Sequence, residues 1–70
     1  MNYSELKAEM ARQNISIPQL ADLIHVSRKT LYSRMSGKTS FTQPEILSIA
    51  EVLHLSPERI YEIFFTEKVA

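Results

Sequence analysis

Apolar side chains recur at helical spacing along this chain of 70 residues, and one start signal introduces four of the apolar runs. The signal is an apolar residue, a Ser or Thr, three further residues and a second apolar one. It reads Ile15-Ser16 with Leu20, Val26-Ser27 with Leu31, Phe41-Thr42 with Ile46, and Leu55-Ser56 with Ile60. A hydroxyl at that place accepts from a free N–H of the first helical turn, and the flanking apolar pair staples across it. Gln19 and Glu45 stand three residues after Ser16 and Thr42 and complete capping boxes. Pro18 and Pro57 fall in a first turn, where the missing N–H costs nothing.

The spacing predicts five helices. The first covers about 4–13, with Leu6, Met10 and Tyr3 on its inner face and Asn14 as its stop. The second covers about 17–24, burying Leu20, Leu23 and Ile24 and turning Ala21 to its partner helix. The third covers about 28–36, with Leu31 and Met35 inward, and Gly37 supplies the left-handed residue that ends it. The fourth runs from the Thr42 cap to about Leu53 along a stripe of Ile46, Ile49, Ala50 and Leu53. The fifth starts at Pro57 and ends near Phe65, and the last residues, 66–70, are expected to fray. No Gly-rich linker or β-type alternation interrupts them. The expected fold class is all-α, a compact five-helix domain over 1–70 with an ordered core of about 4–65.

His25 and His54 occupy matching places in Leu-Ile-His-Val-Ser and Val-Leu-His-Leu-Ser, each two residues before a cap. One reading makes them turn residues that tolerate positive φ. The other makes them metal ligands, which requires further His, Cys or carboxylate donors converging on one place. The sequence offers no such cluster, so the turn reading is preferred, and neither a metal nor a cofactor is expected.

Helices 2 and 3 are joined by little more than Ile24-His25-Val26. Two helices on so short a link form a helix-turn-helix, whose second helix lies in the major groove of DNA. That helix opens Arg28-Lys29-Thr30 and continues Leu31-Tyr32-Ser33-Arg34. The chain's net charge is zero, which at first argues against nucleic acid. The distribution reverses the argument: Arg28, Lys29, Arg34 and Lys38 give residues 23–44 a charge of +4 with no acid among them. The flanking thirds are slightly acidic. A basic segment of this kind is what phosphate binding requires, although a solvated basic face has the same composition.

Size and composition bound the rest. A domain this small buries only about 60% of its unfolded surface, so modest stability is expected. There is no cysteine, hence no disulfide framework and no thiolate metal site. No apolar run approaches the ~20 residues of a membrane span. The acids in MNYSELKAEM leave no signal-peptide core. A cytoplasmic protein is expected, with no ligand-sensing domain after the helical unit. Enzymatic activity is not expected, because there is no nucleophile motif and the only glycine is Gly37.

With these features in place, the chain resembles the Cro/repressor-type, lambda repressor-like helix-turn-helix family over roughly 4–65. The most specific part is Ser16 to Lys38, with Ala21 at the close helix contact and Ser27-Arg28-Lys29-Thr30 opening the reading helix. Phe41-Thr42-Gln43-Pro44-Glu45-Ile46 and Ile63-Phe64-Phe65 look like small phage-associated regulators of Gram-positive bacteria. The resemblance implies a five-helix domain that binds operator DNA as a dimer. Three positions depart from the pattern. His25 stands where the turn usually has Gly, Ile17 where relatives often place a DNA-touching Gln, and Arg34 where many bury an apolar side chain.

With Leu31 and Met35 inward, the opposite face of helix 3 carries the candidates for base contact. These are Arg28, Lys29 and Tyr32, then Ser33, with Thr30 able to touch a thymine methyl. Arg28 and Lys29 could instead hold phosphate only, and Tyr32 could fold onto helix 2 as core. Ser16, Gln19, Ser27, Lys38, Thr39 and Ser40 are the candidates for phosphate contact. About four neutralised phosphates per subunit give a salt slope of about −3.6. Tyr61 and Phe65 are candidates for a dimer interface, or else they pack on helix 1 with Ile60, Ile63 and Phe64. The expected function is therefore a sequence-specific regulator, a repressor, reading a palindromic operator as a homodimer. The alternative is an antirepressor or antitoxin-like partner that acts on a protein, which the acidic, aromatic C-terminal third would suit.

Overall fold

The computed structural model describes residues 1–65. Its helices are α1 (Tyr3–Arg12), α2 (Ile17–Leu23), α3 (Arg28–Met35), α4 (Gln43–Val52) and α5 (Pro57–Ile60). A π-helical turn, Tyr61–Phe65, continues α5 without a break. There is no strand among the described residues. The expectation of a frayed 66–70 lies outside them.

Each helix begins on a side-chain cap. Ser16, Ser27, Thr42 and Ser56 accept the N–H of the third helical residue, as their spacing predicts, and both capping boxes close. The fifth cap was not anticipated: Asn2 accepts from Glu5 N–H, so α1 starts one residue earlier than its periodicity suggests. Asn2 also donates its own N–H to the Ile63 carbonyl at 2.7 Å, tying the start of the chain to the π turn.

Four corners end helices in one manner. Asn14 (φ 56°), His25 (φ 60°), Gly37 (φ 83°) and His54 (φ 55°) are all left-handed. At each, the next residue's N–H reaches back five positions: Ile15 to Met10, Val26 to Ala21, Lys38 to Ser33 and Leu55 to Ala50. This is the Schellman arrangement, which satisfies carbonyls that a helix end otherwise leaves open. Both histidines thus serve as turn residues. Gly37 meets a second demand, since a Cβ there would lie 3.2 Å from the Tyr3 hydroxyl.

The centre of the core is Leu6, Leu20, Leu31, Ile49, Leu53 and Ile63, all essentially inaccessible: one each from α1, α2 and α3, two from α4 and its C-cap, and one from the π turn. Met10, Ala21, Ile24, Met35 and Phe64 surround them. Phe41 packs edge-on against Phe64, which brings the loop after α3 onto the π turn. One expected core residue is outside: Leu23 is 50% exposed. In the short α2 the inward stripe is Leu20, Ala21 and Ile24. Leu23 lies roughly 100° around the helix from its centre, beyond what the neighbouring helices cover. The end of the fifth helix also differs, being π-helical from Tyr61 where an α-helix was expected.

Candidate nucleic-acid interface

The corner at His25 sets α2 against α3. Val26 and Ile17 pack on the core from either side of it. Of α3, Leu31 and Met35 are buried, so two points one turn apart anchor the helix and leave its far side outward. Arg28, Lys29, Tyr32 and Ser36 are exposed there. Tyr32 is 53% exposed and does not fold onto α2 as core. Thr30 and Ser33 are half-buried.

The hydroxyls of this region differ in what they leave available. Ser27 Oγ accepts from Thr30 N–H and donates to Thr30 Oγ1 at 2.8 Å, so both side chains are occupied in capping α3. Ser16 Oγ accepts from Gln19 N–H, and the Gln19 side-chain oxygen Oε1 accepts from Ser16 N–H. The Ser16 hydroxyl hydrogen and the Gln19 amide NH2 remain as outward donors. Ser33 Oγ accepts from Thr39 Oγ1 at 3.1 Å, and Thr39 Oγ1 accepts from Arg34 Nη1 at 2.9 Å. The N–H groups of Lys38 and Thr39 both go to the Ser33 carbonyl. From this loop the Lys38 ammonium and the exposed Ser40 face outward without a partner of that kind among the described residues.

The cations divide the same way. Arg12, Arg34 and Arg59 are each paired with glutamate. Arg59 bonds Glu5 and Glu9 together and so fastens α5 to α1. Burial works against ionised Glu9, but the Arg59 hydrogen bond and the charges of Arg12 and Arg59 outweigh it and hold its pKa below the usual carboxylate value. Arg34 was counted among the basic residues of the reading segment. It instead forms a two-pronged pair with Glu45, Nε to Oε1 at 2.9 Å and Nη2 to Oε2 at 3.2 Å. That bond lowers the Glu45 pKa against the opposing effect of burial, helped by the Thr42 N–H, and raises that of Arg34. Arg28, Lys29 and Lys38 make no ion pair among the described residues. Three unpaired cations therefore share α3 and its exit loop, and no acid lies between them in sequence.

Reasoning from sequence missed the Arg34–Glu45 and Arg59 clusters because their partners are 11 and up to 54 residues apart. The departure of Arg34 from the family pattern was the available signal for the first. On the π turn, Tyr61 (63% exposed) and Phe65 (57% exposed) lie outside the core with ring centroids 6.5 Å apart, while Ile63 and Phe64 are buried.

A family model described as helix-turn-helix, of the Cro/C1 type, matches residues 6–60, from within α1 to the end of α5. The chain belongs to that family. It is thus a DNA-binding helix-turn-helix protein of a regulator family, with α2 and α3 as the two helices of the motif. No curated protein and no solved structure matches this helix-turn-helix chain. Among the described residues no group of three or more His, Cys, Asp or Glu is placed to hold a metal ion, and no helix is long and apolar enough to cross a membrane.

Proposed function

We propose that this helix-turn-helix protein is a sequence-specific repressor that inserts α3 into the major groove of an operator and binds as a homodimer. The observation that carries the reading is the sorting of its arginines: among the described residues Arg28 on the outer face of α3 makes no ion pair, nor do its neighbours Lys29 and Lys38, whereas Arg12, Arg34 and Arg59 are each held by glutamate. Arg28 and Lys29 present donors suited to guanine O6 and N7, and Tyr32 an apolar edge suited to a thymine methyl. Lys38, Ser40, Ser16 and Gln19 flank them as phosphate contacts. Thr30, Ser33, Ser27 and Thr39 contribute by holding backbone and side chains in place. One copy supplies few contacts, so two copies on half-sites one helical turn apart are needed for useful affinity. Exposed Tyr61 and Phe65 supply the apolar surface between them.

The same aromatic surface favours a second reading, in which the chain acts by binding another protein as an antirepressor or antitoxin-like partner. Fluorescence-anisotropy titration against DNA flanking its own coding sequence, with random duplex as competitor, separates the two. Competitor-resistant binding lost in Arg28→Ala/Lys29→Ala supports the operator reading. Weak binding equal for all fragments and both proteins sinks it. Sedimentation of wild type against Tyr61→Ser/Phe65→Ser, with and without operator, tests the dimer.

A further inference from the structure

The guanidinium of Arg34 bonds both the middle of the loop that leaves the reading helix and the first turn of α4 beyond it. Its Nη1 donates to Thr39 Oγ1 at 2.9 Å, and Thr39 in turn donates to Ser33 Oγ of α3. Its Nε and Nη2 hold Glu45, whose Oε1 also accepts the Thr42 N–H at 3.0 Å. A closed ring of bonds thus runs from α3 through Thr39, around the loop to Thr42, into the first turn of α4 and back to Arg34. All three guanidinium nitrogens are occupied. Side-chain exposure is 20% for Arg34 and 15% for Glu45, so the pair is largely withdrawn from solvent. A two-pronged Arg–carboxylate bond fixes orientation as well as distance, and it is stronger than a neutral hydrogen bond.

We infer that Arg34 is a positioning residue for DNA binding: paired with Glu45, it clamps the loop bearing Lys38 and Ser40 at the height where these meet phosphate, and contacts no phosphate itself. The inference rests on the operator reading above. It also follows that Glu45, an acid at the edge of a surface built for a polyanion, aids DNA binding through Arg34. The guanidinium neutralises its charge, and its removal frees the loop. Three cations rather than four then act on DNA, giving a salt slope of about −2.7 per subunit.

Wild type, Glu45→Gln, Arg34→Gln and the double variant are titrated with operator and with random duplex between about 50 and 200 mM salt. Gln at 45 keeps the capping box, so the fold is retained. Glu45→Gln adds a unit of positive charge yet is expected to weaken operator binding roughly tenfold, as loss of one charge-assisted contact. The double variant is expected to lose no more than either single variant and to keep the wild-type slope. Tighter binding by Glu45→Gln, or a slope shallower by about 0.9 in the double variant, would mean that Arg34 acts on phosphate directly and overturns the inference. Unchanged affinity in Glu45→Gln also overturns it. A second readout needs no DNA: the amides of Lys38 and Thr39 should exchange with solvent roughly tenfold faster in Glu45→Gln, through easier local opening. Equal exchange rates refute the clamp. A wild type that fails to distinguish operator from random duplex counts against the operator reading instead, and the exchange rates then decide the clamp alone.

Discussion

The ring of Phe41 stands edge-on to the ring of Phe64, with centroids 5.6 Å apart and planes at 82°. This contact joins the loop after α3 to the π turn, which is also held by the Asn2 N–H. Edge-to-face pairs contribute about 0.5–1.5 kcal/mol beyond the area they bury. A double-mutant cycle of Phe41→Leu and Phe64→Leu, read by chemical denaturation, should therefore show a coupling in that range. Additive losses would mean that the two rings share only hydrophobic burial.

Leu31 and Leu23 are eight residues apart on the two helices of the motif, one fully buried and the other half exposed. Leu31→Ala should cost about 2–5 kcal/mol, as expected for a cavity in a closed core. A domain of this size has only roughly 4–10 kcal/mol in total, so this variant sits near unfolding at ambient temperature. Leu23→Ala should stay within about 0.5 kcal/mol of wild type, as surface changes do. Urea midpoints of the two variants test the orientation of α2.

His25 holds a left-handed conformation that costs a residue with a Cβ about 1–2 kcal/mol. Part of that is offset because Gly is freer in the unfolded chain. His25→Gly should thus stabilise by about 0.5–1 kcal/mol, raising the melting temperature by roughly 3–6 °C. Gly37→Ala should do the reverse, by about 1–2 kcal/mol, since φ is 83° there and the Tyr3 hydroxyl must also give way. Calorimetry on both variants checks the opposite signs.

Glu9 and Glu45 both have folded pKa values below the ordinary carboxylate value. Each therefore contributes stability that is fully present above the unfolded value, about 4.3, and is lost as pH falls through the folded one. Unfolding at acid pH should release the domain to take up as many as about two extra protons. Glu9→Gln should lower stability at pH 7 and flatten the dependence below about pH 4.5. An unchanged acid limb in that variant would show that Arg59 does not hold Glu9 ionised.

What was readable in the sequence was what depends on neighbours within one turn. The Ser and Thr caps, the capping boxes, the Gly37 corner and the histidine turns are bonds over three to five positions, and residue type at fixed spacing announces them. Leu20, Leu31, Ile49 and Leu53 were readable as core because each lies at the centre of its apolar stripe. Leu23 was misplaced because it lies at the edge of one, where coverage depends on how far the next helix reaches. Arg34 counts toward the basic segment in sequence for a similar reason. Its partner comes from another helix, and nothing local distinguishes a guanidinium aimed at Glu45 from one aimed at solvent. The π turn had no local mark, for residues 58–65 contain neither Pro nor Gly.

Five of the eight residues of α3 fasten it to the domain, and three do not. Leu31 and Met35 hold it to the core, Thr30 takes part in its cap, and Ser33 and Arg34 tie it to the following loop. Arg28, Lys29 and Tyr32 are under no obligation to the fold. A lineage carrying this scaffold can therefore rewrite those three codons with little penalty in folding. Divergence of binding preference between sister copies is cheap here, and an ancestral duplicate could acquire an independent target before its architecture registered any change.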